Sequence, residues 1–120
     1  MAYTGRELGM PETNPDARIV LTTAASVEEA RRVGRTLVEE RLAACATLMP
    51  AVESIYRWEG QIESASECLV LLKTNASALA PLEARLLDLH SYKTPEFLVL
   101  PVDAGSEAFL AWMAASLERI

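Results

Sequence analysis

Three short runs in this 120-residue chain are apolar at both odd and even positions: Ile19-Val20-Leu21 within Arg18–Thr23, Leu69 to Leu72 within Glu67–Thr74, and Phe97 to Leu100 within Phe97–Val102. They are brief and rich in β-branched residues, so each reads as a strand. A strand that is polar on one side needs a single covering layer. A strand apolar on both sides needs two. Any fold offered for this chain must therefore cover both faces of its sheet.

The segments between these runs supply the first cover. Ser26-Val27-Glu28-Glu29 has the spacing of a capping box, with Ser26 as N-cap and Glu29 reaching back. Val27, Ala30, Val33, Leu37, Val38 and Leu42 recur at helical spacing, with Arg31, Arg32, Arg35, Glu39 and Glu40 largely opposite, which predicts an amphipathic helix ending near Leu42. Ala44 to Glu59 reads as a long strand interrupted at Pro50, where a bulge or an edge position is expected. Beyond Pro50, Val52, Ser54, Tyr56 and Trp58 share one face and Glu53, Ile55, Arg57 and Glu59 the other. Glu59-Gly60-Gln61 is a tight reversal in which Gly60 supplies a positive φ, and Ile62 begins the return strand. Ser77 is expected to cap a second helix with Pro81 in its first turns, Leu79, Leu82, Leu86 and Leu89 as its inner stripe and His90 at its end. After a loop to Glu96 and the Phe97–Val102 strand, Ser106 caps a last helix carrying Phe109, Leu110, Met113 and Leu117.

The order β-α-β-β-α-β-α predicts an α+β, ferredoxin-like split βαβ sandwich with a long central hairpin and an extra C-terminal helix. Residues 1–16 read as a poorly ordered arm and 17–120 as one domain. The last helix is too short to cover the second sheet face, so packing against other subunits is the expected cover.

Composition narrows the function. Seventeen acidic and eleven basic residues give a net charge of −6, which repels phosphate backbones, so nucleic acid is not an expected partner. No stretch reads as a signal peptide or a membrane span, and the two cysteines, Cys45 and Cys68, lie in apolar runs outside any CxxC pair. Reduced, buried thiols and a cytoplasmic location are expected. Neither a nucleophile elbow nor a glycine-rich phosphate loop is present, so no enzymatic activity is expected.

Three segments carry a family resemblance: Leu37-Val-Glu-Glu-Arg-Leu-Ala-Ala-Cys45, Ser54-Ile-Tyr-Arg-Trp-Glu-Gly60, and Leu89-His-Ser-Tyr-Lys-Thr-Pro-Glu96 followed by Leu100-Pro101-Val102. Together they resemble the CutA divalent-cation-tolerance family from about Arg18 to Leu117. The resemblance implies a homotrimer similar to the PII signalling proteins, with long hairpins embracing neighbouring subunits, and a response to divalent metal ions such as copper. Many relatives carry Cys-Pro after the first strand's Thr-Thr, the cysteine being a proposed copper ligand. Here those positions are Ala24-Ala25, and Ser91 stands where many relatives have proline.

The resemblance points to His90 and Glu96 as metal ligands. Two protein ligands with water or a neighbour's groups completing the shell imply weak binding of zinc or copper(II), no tight copper(I) site and no obligatory cofactor. The competing reading of His90 is a helix-end histidine held by the last carbonyls. Tyr56, Trp58, Lys73 and Tyr92 are candidates for an inter-subunit cleft, with interface anchoring as the alternative for the aromatics and a solvent-reaching side chain as the alternative for Lys73. A PII-like signalling or scaffolding trimer that binds a small ligand or a partner protein is the second functional reading.

Overall fold

The computed structural model describes residues 12–13 and 16–119. Its elements run β1 (Glu12–Thr13), β2 (Ala17–Ala24), α1 (Val27–Glu39), β3 (Cys45–Trp58), β4 (Gln61–Asn75), α2 (Leu79–Leu89), β5 (Leu98–Pro101), β6 (Ala104–Gly105) and α3 (Glu107–Leu117). Most of the arm expected over residues 1–16 lies outside the described residues. Within it β1 pairs with β6, and the Asp16 carbonyl accepts the Ala76 N–H at 2.7 Å. The main sheet is antiparallel, in the order β3-β4-β2-β5. That is the strand order of a split βαβ fold, as the element order predicts.

Helices α1 and α2 cover one face. Val20, Ala24, Cys68, Val70 and Leu72 of the sheet pack there against Ala30, Val33, Leu37, Leu82 and Leu86, all of them buried. Gly34 allows α1 to approach β3 closely, because a β carbon at that position would lie 2.9 Å from the Ala46 β carbon. A second, smaller cluster joins Leu110, Met113 and Leu117 of α3 to Ala17 and Ala44.

Local chemistry explains where the elements start and stop. Ser26 accepts the Glu29 N–H at 3.1 Å and Ser106 the Phe109 N–H at 3.2 Å, so both serine caps form as the sequence suggests. The start of α2 differs. Asn75 caps a short 3-10 turn by accepting the Ala78 N–H, and Ser77 donates to Asn75 instead of capping α2 itself. Helix α1 also stops before Leu42. Arg41 takes φ 59°, its N–H bonds to the Val38 carbonyl, and the Leu42 N–H bonds to the Leu37 carbonyl. This is a Schellman ending with arginine in the place where glycine is usual, so no residue type announces it.

Strands β3 and β4 form one continuous hairpin from Cys45 to Asn75, closed by Glu59 (φ 50°) and Gly60 (φ 80°). Two consecutive positive φ values match the twist that two-residue hairpins favour. The bulge falls where Pro50 predicts it: pairing shifts between Met49↔Leu69 and Val52↔Glu67, with Ala51 at φ 61°.

Candidate functional site

Helix α2 ends at His90, whose N–H bonds to the Leu86 carbonyl while extended backbone (φ −82°, ψ 142°) carries the chain out of the helix. The imidazole is 1% exposed. Its Nε2 lies 2.7 Å from the Thr23 carbonyl oxygen, which can only accept, so Nε2 carries the hydrogen. Its Nδ1 accepts the Tyr92 N–H at 3.0 Å. These two bonds define a neutral ring whose tautomer is set by its neighbours. Thr23 is the penultimate residue of β2, so the ring ties the end of α2 to the end of the central strand.

Glu29, in the first turn of α1, holds the same loop from the other side. Its Oε1 accepts the Ala25 N–H at 3.2 Å and the Ser91 hydroxyl at 3.0 Å, and its Oε2 accepts the Ser91 N–H at 2.7 Å. Oε2 also lies 3.8 Å from His90 Nδ1. Burial alone raises this carboxyl's pKa. The bonds from Ser91 and Ala25 outweigh burial and hold it below the usual carboxylate value. Tyr92 completes the cluster. Its hydroxyl donates to Glu67 Oε2 at 2.7 Å, and its ring centroid lies 4.8 Å from that of His90. Burial, then the bond to Glu67, then the charges of Glu67 and Glu29 push the phenol up to about 12.

The structure brings His90 and Tyr92 together, with Tyr56 near enough to add to the field on Tyr92. Among the described residues, no hydrogen bond, ion pair or ring contact joins the other candidates to them. Glu96 is exposed on the loop after Tyr92, and Trp58, 60% exposed, stands at the hairpin tip. Lys73 lies six residues along β4 from Glu67, about 20 Å at ordinary strand rise. Two members of the cluster, Glu29 and Glu67, are not found by sequence reasoning. Glu29 carries a signal, the capping box. Its carboxylate, however, reaches Ala25 and Ser91, not the Ser26 N–H expected of it. Nothing local in the sequence marks Glu67.

These residues do not fit a preformed metal site within one chain. Both His90 nitrogens are engaged, and both Glu29 oxygens accept hydrogen bonds. Ala24, where many relatives place a thiol, is 2% exposed in the core opposite Cys68. Among the described residues, no group of three or more His, Cys, Asp or Glu side chains is arranged to hold a metal ion.

The sheet face turned away from α1 and α2 is apolar and largely uncovered. Opposed residues form the rows Thr47-Leu71-Leu21-Leu98 and Cys45-Lys73-Ile19-Leu100 across all four strands. Leu98 and Leu100 are exposed, as is Met49. Lys73 lies within this face, its Nζ donating to Thr47 Oγ1 at 3.0 Å and lying 3.7 Å from Cys45 Sγ. Cys45 is therefore half-buried beside a cation, whereas Cys68 is buried in the core and its thiol is pushed up by burial. Among the described residues, no helix is long and apolar enough to cross a membrane.

Comparison with known proteins agrees with this geometry. The model of the family described as CutA1 divalent ion tolerance protein matches residues 18–116. The divalent-cation tolerance protein CutA of Pectobacterium atrosepticum is 45% identical over 85% of this chain and 93% of its own length, and that of Thermus thermophilus is 43% identical over 79% and 92%. The solved structure of CutA from Synechococcus elongatus superposes with a TM-score of 0.88 at 36% identity, covering 92% of this chain and 98% of that one. A similar protein from Arabidopsis thaliana is named chloroplastic. The sequence motifs, the strand order and these relatives agree: the chain belongs to the CutA1 divalent ion tolerance protein family.

Proposed function

We propose that this protein acts in divalent-cation tolerance as a non-catalytic homotrimer of the cytoplasm. It responds to ions such as copper or zinc through weak contacts and needs no resident cofactor. The observation that carries the reading is the uncovered apolar sheet face, continued along the hairpin by the exposed Tyr56 and Trp58, with Ile55 and Ile62 exposed on the hairpin's other side. A face of this extent calls for a partner, and neighbouring copies supply one through the protruding hairpins. The engaged nitrogens of His90 and the alanine at position 24 support weak binding of divalent ions and no tight copper(I) site. Two free cysteines suit a reducing compartment, and the acidic net charge disfavours nucleic acid.

Two measurements test this. Sedimentation equilibrium should give a trimer at micromolar concentration, and a monomer there would sink the assembly. Calorimetric titration with zinc and copper(II) should give micromolar or weaker binding that His90→Ala diminishes. Tight binding that survives His90→Ala would move metal contact to another part of the molecule.

A further inference from the structure

A groove of about 430 Å³ runs along the edge strand β3, between α1 and α3. Its walls are apolar: Val38 from α1, Leu48 from β3 and Trp112 from α3. Trp112 is half-buried and packs against Phe109, their ring centroids 5.4 Å apart. Arg31 and Arg35 line the groove from α1. Residues four apart share one helix face, so their guanidiniums can converge on a single group. Both are exposed, and among the described residues neither forms an ion pair, whereas Arg32 and Arg85 do. Glu39 is the one carboxylate in the lining.

A chain with a net charge of −6 thus places two cations against one acid around an apolar trough. We propose that this groove binds a small amphiphilic anion: a carboxylate, sulfonate or phosphate carried on an apolar body. The charged group would sit between Arg31 and Arg35, whose planar donors suit such oxyanions, and the body would lie along Val38, Leu48 and Trp112. The charge balance at the rim selects an anion over a neutral or cationic ligand of the same shape.

Anilinonaphthalene sulfonate is a direct probe, and uncharged phenylnaphthylamine is its neutral control. On the assembled protein, the sulfonate should bind saturably and more tightly than the amine. The Arg31→Gln/Arg35→Gln double variant should bind the sulfonate about ten-fold more weakly with little change toward the amine, and Arg31→Lys/Arg35→Lys should recover part of the loss. The indole N–H resonance of Trp112, assigned by its disappearance in Trp112→Phe, should shift on titration while that of Trp58 stays in place. No saturable binding, as when another copy already fills the groove, would overturn the proposal. Equal affinity in the glutamine variant, or movement of Trp58 alone, would do the same.

Discussion

The two faces of the main sheet are built from the same kinds of residue and have opposite fates. Leu72 faces the helices and is fully buried. Its neighbour Leu71 faces the other way and is only half-buried, and Leu98, in Leu71's own row, is 57% exposed. Burying one such side chain is worth about 1.5–3 kcal/mol. On the helix side the single chain realises that stabilisation. On the open side it is held back until something else arrives. Hydrophobicity therefore indicates that a residue must be covered, while the lengths and positions of the helices decide whether the chain covers it alone.

Substitutions on the two faces should fail in different ways. Trp58→Ala should cost about 3–5 kcal/mol per subunit if the arm is covered by a neighbour, with dissociation preceding or accompanying unfolding. A variant that stays trimeric with unchanged melting would show that Trp58 is peripheral, and the contrast between the faces would lose its sharpest support. Leu72→Ala should cost about 2–5 kcal/mol through the cavity it leaves, and this loss should not depend on protein concentration. A concentration-dependent loss there would mean that the two faces are not independent.

The Glu29 cluster belongs to the covered side and should respond to acid. Its folded pKa is depressed, so the stability it contributes is present above the ordinary carboxylate value and is lost as pH falls through the folded value. Glu29→Gln should cost about 1–3 kcal/mol at neutral pH, and wild type and variant should converge in acid when urea midpoints are compared across pH. A constant gap down to low pH would remove the charge from the explanation. The smallest effect is expected at the bulge. Ala51 holds a left-handed conformation that costs an L-residue roughly 1–2 kcal/mol, so Ala51→Gly should gain about 0.5–1 kcal/mol once glycine's extra chain entropy is subtracted.

Local signals in the sequence survived folding well. Ser26, Ser106, Gly60 and Pro50 each act through their own backbone, and each does what its residue type suggests. Elements without such a marker were harder to read. Beyond Ile62, which marks the start of the return strand, the stretch to Glu67 is mostly polar and shows no strand periodicity; it is extended because β3 pairs with it residue by residue. Arg41 ends α1 in a conformation that its side chain does not favour. At the candidate site, His90 and Tyr92 were legible because they share a loop. Their partners were not, since Ser91 meets Glu29 across 62 positions and Tyr92 meets Glu67 across 25. Sequence spacing cannot rank such encounters, which depend on where β2 and α2 happen to end.

The bulge at Pro50 and Ala51 also acts as a phase shifter. Under strict alternation Val52, Ser54, Tyr56 and Trp58 would fall on the same side as Leu48, toward the helices. Absorbing one extra residue moves them instead onto the side of Thr47 and Met49. The arm's aromatic side and the sheet's open apolar side thereby become one continuous surface, extending far beyond what either strand could present alone. If the bulge slid two positions along β3, the residues it passed would exchange sides. A proline that cannot donate to the ladder and a residue locked in a left-handed turn mark the place where the phase changes, so they define which side of the arm a neighbour would meet.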